Sequence, residues 1–189
     1  VLFYNFNYYL SNPIEIFFIW NGGMSFHGGL LGIIIGTIIF SKKKDCDKLV
    51  LLDVVSCVAP VGILFGRLAN FINSELYGIP TEKPWGVIFP NIDNIPRHPS
   101  QIYEALLEGL ILFFILNYLL RKKIFNHGSI SFLFLILYGI FRIISEQFRL
   151  PDQHIGYIFG NLSMGSVLSI IMIFFGTLFL SKLFNEKNI

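Results

Sequence analysis

Long apolar stretches restrict the fold of this chain more than any other feature. Five of them lie at about residues 25–40, 49–66, 101–120, 129–148 and 162–181, the first two being short or polar for full spans. A helix needs roughly 20 apolar residues to cross about 30 Å of hydrocarbon. With only 14% charged residues and a mean hydropathy of +0.66, the composition excludes an ordinary soluble domain. The prediction is an all-α, polytopic integral membrane protein with about five transmembrane helices.

Basic residues concentrate in alternate connections of this five-helix scheme. They are Lys42, Lys43, Lys44 and Lys48, then Arg121, Lys122 and Lys123, and finally Lys182 and Lys187. Because lysine and arginine accumulate in cytoplasmic loops, this face is predicted to be cytoplasmic and the opposite face to point outward. A net charge of +2 and basic loops without interleaved aromatic residues give no indication of nucleic-acid binding. Cys46 and Cys57 are not placed for an exported disulfide, and no metal site or cofactor is predicted.

Ionisable and amide groups follow the second apolar stretch. In the run from Gly66 to Gly78, five residues share one helical face: Arg67, Asn70, Asn73, Ser74 and Tyr77. A polar seam between helices would account for a single Asn or Ser, but a charge near the end of a span needs a ligand or an internal network. The outward loop over residues 67–100, with Trp85 and several prolines, is predicted to contain short helices and to be suited to the headgroup layer.

Two further motifs stand on the predicted outward side. His27 lies among glycines at the start of the first stretch, which suits either a packed, hydrogen-bonded imidazole or one that moves protons beside a closely approaching ligand. His98 precedes Ser100, a candidate helix N-cap, and Glu104 and Glu108 continue one face of the third stretch. A capping box would explain Ser100 and a nearby acid, but it would not explain Glu108.

Arg142, Glu146 and Arg149 form a charged stripe at helical spacing on the fourth stretch. The two arginines outnumber their local acid, so the surplus must meet either Glu104 or Glu108 on another helix or an anionic ligand. A guanidinium group is well shaped to hold phosphate through two parallel hydrogen bonds. The run Ser163 to Ser166 opens the last stretch and favours close helix packing by small residues.

These motifs together resemble the bacterial prolipoprotein diacylglyceryl transferase family, end to end and in order. The residues that carry the resemblance are Gly23-Met24-Ser25-Phe26-His27-Gly28-Gly29, the run from Gly66 to Gly78, Arg97-His98-Pro99-Ser100-Gln101-Ile102-Tyr103-Glu104, and Phe141-Arg142 with Phe148-Arg149-Leu150-Pro151-Asp152. The resemblance implies an enzyme of the bacterial inner membrane with its active site toward the periplasm. It would transfer the diacylglyceryl group of phosphatidylglycerol to the lipobox cysteine thiol of a prolipoprotein, forming a thioether and releasing glycerol phosphate.

The resemblance also implies roles for individual residues. Arg67 matches the arginine that binds the lipid phosphate, Arg142 a second arginine near the headgroup, and His27 the histidine proposed as base. Asn70, Glu75 and Gly78 match other functional positions, Asn70 as a headgroup donor and Glu75 as an orienting acid. Glu146 is expected to hold Arg142, and His98 and Glu104 are further candidates for substrate binding.

The family has further membrane-embedded sequence before the point where this chain starts, including a tyrosine-bearing motif. The expectation is therefore a single membrane-embedded transferase domain over residues 1–189 that lacks its N-terminal helices. Ala69 stands where the family usually has glycine. The competing hypothesis is a transporter or scramblase that binds anionic lipid headgroups, which would place polar groups at mid-membrane depth on both leaflets. A structural membrane subunit is the third, and it leaves the arginine surplus unexplained.

Overall fold

The structure is a computed structural model that describes residues 26–122, 125–151, 157–159 and 162–185, together with Ser11 and Glu15. By its contacts the chain divides into two units, residues 1–51 and residues 52–189. In chain order the elements are α1 (Phe26–Lys44), α2 (Lys48–Ile72), α3 (Ser100–Glu104), a π-helical segment (Ala105–Ile111), α4 (Leu112–Lys122), α5 (Ser129–Glu146), β1 (Tyr157–Phe159), β2 (Leu162–Ser163) and α6 (Met164–Asn185).

Four helices of the described chain are long and apolar enough to cross a membrane, so the predicted count of five is wrong by one. They are Lys48–Ile72, Ser100–Lys122, Ser129–Glu146 and Met164–Asn185. The helix that corresponds to the second predicted span is longer than the apolar stretch 49–66, because it continues through Arg67 to Ile72. The first predicted span corresponds to α1, which is helical but is not one of the four. Its last turn consists of Lys42, Lys43 and Lys44.

The helices of residues 52–189 run alternately up and down. Side-chain contacts place the C-terminal end of α2 beside α3 and its earlier part beside the start of α5. One end of this bundle therefore carries Ile72, Ser100, Glu146 and Met164, and is called the loop end below. The other end carries the basic residues that follow α4.

The apolar core lies toward the basic end. Cys57, Leu112, Leu116 and Ile130 are buried together, and partly buried residues of α4 and α5 surround them. Helices α5 and α6 pack closely through glycine: a Cβ added at Gly139 would lie 2.7 Å from Cγ1 of Ile173 on α6. Small residues permit such close approach of two backbones.

Asp53 on α2 accepts hydrogen bonds from backbone amides at the start of α5. Its buried carboxylate accepts hydrogen bonds from the backbone N–H of Gly128 at 2.7 Å and of Ser131 at 2.8 Å, and from the Ser131 hydroxyl at 2.7 Å. The first amides of a helix have no partner within the helix itself. Asp53, an acid within the second apolar stretch, therefore caps a neighbouring helix.

The loop between α2 and α3 is ordered by Arg97. The backbone of Arg97 pairs with Val87, and its guanidinium contacts Asp93 at 2.6 Å and donates to the Gly78 carbonyl at 3.2 Å. The hydrogen bond from Arg97 lowers the pKa of the Asp93 carboxyl below its usual value, and the same contact raises the pKa of Arg97. The segment between α2 and α3 is thus a folded element at the loop end.

Candidate active site

Arg67 joins α2 to the helix that follows the loop. Its Nε lies 2.9 Å from Oε2 of Glu104, and its Nη2 lies 3.4 Å from Oε2 of Glu108. Both glutamates are fully buried, whereas 17% of the Arg67 side chain remains exposed. Of the two requirements considered for a charge near the end of a span, Arg67 meets that of an internal network, because two acids one helical turn apart on the neighbouring helix face it.

Arg142 occupies the centre of the same group. Its Nη1 donates to Oε1 of Glu104 at 2.7 Å, and its Nη2 lies 2.6 Å from Oε2 of Glu146. The contact with Glu146 is the one expected from their spacing on α5. Of the two alternatives for the surplus positive charge of this helix, the structure contains the pairing with Glu104 on another helix.

Arg149 completes what is called the ion-pair cluster here. Its Nη1 lies 3.8 Å from Oε1 of Glu104. The cluster contains three arginines and three glutamates: Arg67, Arg142, Arg149, Glu104, Glu108 and Glu146. Such groups are costly inside a membrane unless they are paired, and mutual pairing leaves the cluster with no formal net charge.

One face of the cluster stays accessible. Within the described residues, Nη1 of Arg67 has no hydrogen-bond or ion-pair partner, and Arg67 is the most exposed of the three arginines, at 17% against 9% for Arg142 and 8% for Arg149. Counted along α2, Arg67 lies roughly 8 Å from the helix end at a rise of 1.5 Å per residue. A guanidinium edge at this depth is placed to bind an anionic group that enters from the membrane surface.

A π-helical segment carries one acid of the cluster, Glu108, and directly follows another, Glu104. Residues 105–111 are π-helical, with α-helix before and after. Such segments are rare and often occur at functional sites. Glu104 directly precedes the segment, and Glu108 within it accepts a hydrogen bond from the Ser145 hydroxyl at 2.9 Å. No signal in the apolar run predicts this departure from α-helix.

Glu146 is held by the start of α6. The hydroxyl of Ser163 donates to Oε1 of Glu146 at 2.8 Å and accepts the backbone N–H of Ser166 at 3.2 Å. A Cβ added at Gly165 would lie 3.0 Å from the Glu146 carboxylate. Ser163 therefore caps α6 and orients an acid of the cluster, beyond the close packing that the sequence predicted for this run.

Asn70, Glu75 and Gly78 do not join the cluster through any side-chain contact among the described residues. Asn70 is half-buried on α2, and Glu75 is exposed in the turn that follows. Gly78 is buried where chains cross: a Cβ there would clash with the carbonyl oxygen of His98 and lie 2.6 Å from that of Phe148. The backbone of Gly78 pairs with Arg149, which connects this turn to the end of α5.

His98 belongs to an aromatic group beside the cluster. Its Nδ1 lies 3.1 Å from the hydroxyl of Tyr103, which also accepts a hydrogen bond from Nε1 of Trp85 at 2.8 Å. The rings of His98 and Tyr103 both pack edge-on against Phe148. Tyr103 and Trp85 were not selected as site residues from sequence, although Tyr103 stands in the motif from Arg97 to Glu104 and Trp85 in the outward loop.

The predicted glycine-rich motif around His27 lies largely outside the described residues. Helix α1 contains the backbone of His27, but the side chain of His27 and residues 22–25 lie outside the described residues.

The predicted N-cap at Ser100 is wrong: Pro99 occupies that position, and the Ser100 hydroxyl donates to the carbonyl of Leu76 at 3.1 Å. In the described chain, no group of three His, Cys, Asp or Glu residues is arranged to hold a metal ion.

Comparisons with known proteins converge on one family. A family model described as prolipoprotein diacylglyceryl transferase matches residues 1–182. A phosphatidylglycerol–prolipoprotein diacylglyceryl transferase of Desulfotalea psychrophila is 50% identical over 194 residues, covering 100% of this chain and 71% of the relative. Relatives of the same name from Geobacter sulfurreducens and Rickettsia felis are 49% and 50% identical, covering 93% and 94% of this chain and 67% and 69% of their own lengths.

Proposed function

The chain belongs to the prolipoprotein diacylglyceryl transferase family, and on that premise we propose that its ion-pair cluster holds the phosphate of the lipid substrate. As a member of this family it is a multi-pass membrane transferase of lipoprotein maturation, which moves a diacylglyceryl group from phosphatidylglycerol to a prolipoprotein. The observation that carries the proposal is the accessible guanidinium edge of Arg67 within an otherwise paired and buried cluster.

The chemistry is an alkylation of sulfur. The thiolate of the lipobox cysteine attacks the carbon of the diacylglyceryl group that is bonded to the phosphate oxygen, a carbon–sulfur bond forms there, and the bond between that carbon and that oxygen breaks. The electron pair of that bond leaves with glycerol phosphate, and the thiol proton passes to a base. The reaction therefore needs a thiolate and a cation on the departing phosphate, and it needs no oxyanion hole.

The cluster supplies the cations in a fixed arrangement. Arg67 and Arg142 bind the phosphate, and Glu104 and Glu146 hold the two guanidinium groups in orientation, because each acid lies within 2.9 Å of its arginine. A preorganised donor costs no reorganisation when negative charge develops on the leaving oxygen. Glu108 neutralises the remaining positive charge, so the cluster is stable before the lipid arrives.

The proposal gives roles to other residues of the family motifs as well. Asn70 donates to the headgroup, Glu75 orients it, and Gly78 allows the chains to approach closely. His27 acts as the base, since imidazole has an ordinary pKa near neutrality and a free thiol an ordinary pKa of about 8.5. His98 contributes to binding from the aromatic group at the loop end.

The orientation follows from charge. The basic connections face the cytoplasm of a bacterial inner membrane, and the loop end faces the periplasm, where exported prolipoproteins present their lipobox cysteine. The loop over residues 67–100 then lies at the headgroup layer, with Trp85 exposed to it. Family membership does not support the transporter or scramblase alternative.

The proposal is tested by supplying both substrates. Purified protein in phosphatidylglycerol vesicles is incubated with a lipobox peptide. The mass of the peptide is then measured by mass spectrometry to detect the added diacylglyceryl group. Arg67→Lys keeps the charge but loses the guanidinium fork, so turnover should fall strongly while the protein still inserts. Arg121→Lys at the exposed basic end of α4 is the matched control. Near-normal turnover by Arg67→Lys and Arg67→Ala would contradict the assignment.

A further inference from the structure

The turn that follows α2 adopts an unusual backbone conformation. Within residues 73–78, called the 73–78 turn here, Ser74 has φ of 58° and Leu76 has φ of 54°. The left-handed region is unfavourable for residues with a Cβ, and it is uncommon for a side chain as large as leucine. Such conformations persist only where the surrounding structure over-determines them, and they concentrate at functional sites.

Two buried side chains from the start of α3 hold the turn in this conformation. The Ser100 hydroxyl donates to the carbonyl of Leu76 at 3.1 Å, and the Gln101 amide donates to the carbonyl of Glu75 at 2.6 Å. Both polar side chains are fully buried, and neither caps its own helix. Burying two polar groups is justified energetically only by the hydrogen bonds that they make. One of these hydrogen bonds goes to the strained Leu76, and the other goes to Glu75, which lies between the two strained residues.

The turn links the parts of the candidate active site. It directly follows the helix that carries Arg67, and its partners Ser100 and Gln101 lie one turn before Glu104, which pairs with Arg67. Its far end is fixed as well, because the backbone N–H of Gly78 donates to the His98 carbonyl at 3.1 Å. A change in the turn would therefore displace Glu75 and Gly78 relative to the ion-pair cluster.

We propose that Ser100 and Gln101 are positioning residues for diacylglyceryl transfer, which act by holding the 73–78 turn in its left-handed conformation. The inference rests on the proposed function. Neither side chain touches the reacting atoms. They act through Glu75 and Gly78, whose placement against the headgroup determines how the lipid presents its glycerol carbon.

The test compares single variants with a compensating double variant. Ser100→Ala and Gln101→Met each remove one hydrogen bond to the turn, so kcat should fall about tenfold or more. The KM for phosphatidylglycerol should stay within about twofold, because the arginines that bind phosphate are unchanged. Ser181→Ala, which removes a hydroxyl bonded only to its own helix at the opposite end of α6, should leave kcat unchanged.

The decisive variant replaces the strained leucine. Glycine has no Cβ and adopts the left-handed conformation readily. Ser100→Ala combined with Leu76→Gly should therefore recover most of the lost kcat, while the melting temperatures of all variants stay close to that of the unmodified protein.

Each outcome has a separate meaning. An inactive unmodified protein would contradict the proposed function itself. Full activity of Ser100→Ala and Gln101→Met in an active background would overturn the positioning role. A loss of kcat that follows a lowered melting temperature, and that Leu76→Gly does not restore, would show that the two residues only stabilise the fold and would overturn the proposal as well.

Discussion

Replacing Glu104 by glutamine tests whether the ion-pair cluster is held together by its own acids. The carboxylate is fully buried and lies 2.9 Å from Arg67, 2.7 Å from Arg142 and 3.8 Å from Arg149. Two unit charges 4 Å apart attract by about 4 kcal/mol at an effective dielectric constant of 20. The sum of three such attractions overstates the loss of stability in Glu104→Gln, because burying a neutral amide costs less desolvation free energy than burying a carboxylate. Breaking a buried ion pair by removing one partner costs about 3–5 kcal/mol, and that loss of unfolding free energy is expected for Glu104→Gln.

The assay is reversible unfolding in mixed micelles, with Glu75→Gln as the control. Glu75 is exposed and has no side-chain partner among the described residues, so its replacement should change the free energy of unfolding by no more than about 0.5 kcal/mol. Glu104→Gln also leaves one surplus positive charge, so phosphatidylglycerol should stabilise this variant more than the unmodified protein, relative to phosphatidylcholine. A destabilisation no larger than that of Glu75→Gln would refute the reasoning and mean that water screens the cluster.

Three further outcomes are expected. Asp53→Asn should destabilise the protein by about 1–3 kcal/mol, because the first amides of α5 lose a carboxylate; unchanged thermal unfolding would contradict this. The protection factor of the Arg97 backbone amide, which is the intrinsic exchange rate at a given pH divided by the observed rate, should be high above about pH 4 and should fall as the pH falls through the lowered folded pKa of Asp93, since a depressed acid pKa stabilises the folded loop only while the carboxyl is ionised; Asp93→Asn should abolish that dependence, and its persistence would count against the pair. Gly139→Ala should destabilise the α5–α6 pair, whereas Gly62→Ala, which meets no atom within 4 Å, should be neutral or slightly stabilising, and equal effects in thermal unfolding would contradict the packing argument.

Much of the helical framework could be predicted from sequence, because hydrocarbon demands long apolar helices whatever their neighbours. Four of the five predicted spans correspond to the four helices that the structure identifies as long and apolar enough. The partners of individual charges were harder to predict. Spacing placed Glu146 beside Arg142 on one helix, but nothing in a periodic pattern states that Arg67 faces the same acids.

Local rules failed where a tertiary contact was stronger. Ser100 has the spacing of a helix cap, yet its hydroxyl bonds the carbonyl of Leu76 in a strained turn 24 residues earlier. The left-handed conformation of Leu76 could not be predicted either, since its residue type disfavours it. Asp53 was an isolated acid in an apolar stretch, and only the folded bundle reveals the helix that it caps.

The π-helical segment makes the length of the chain a determinant of this site. An α-helical residue advances by about 1.5 Å and about 100° around its axis. Deleting one residue from 105–111 would therefore turn the loop-end part of the helix by roughly that angle against the part that carries Leu112 and Leu116. The apolar half could keep its packing while Glu104 rotated away from its three arginines. The rotational position of the two parts of this helix therefore depends on the number of residues between them. A one-residue change in that number could disrupt the ion-pair cluster and leave the apolar core packed, without replacing a side chain in either.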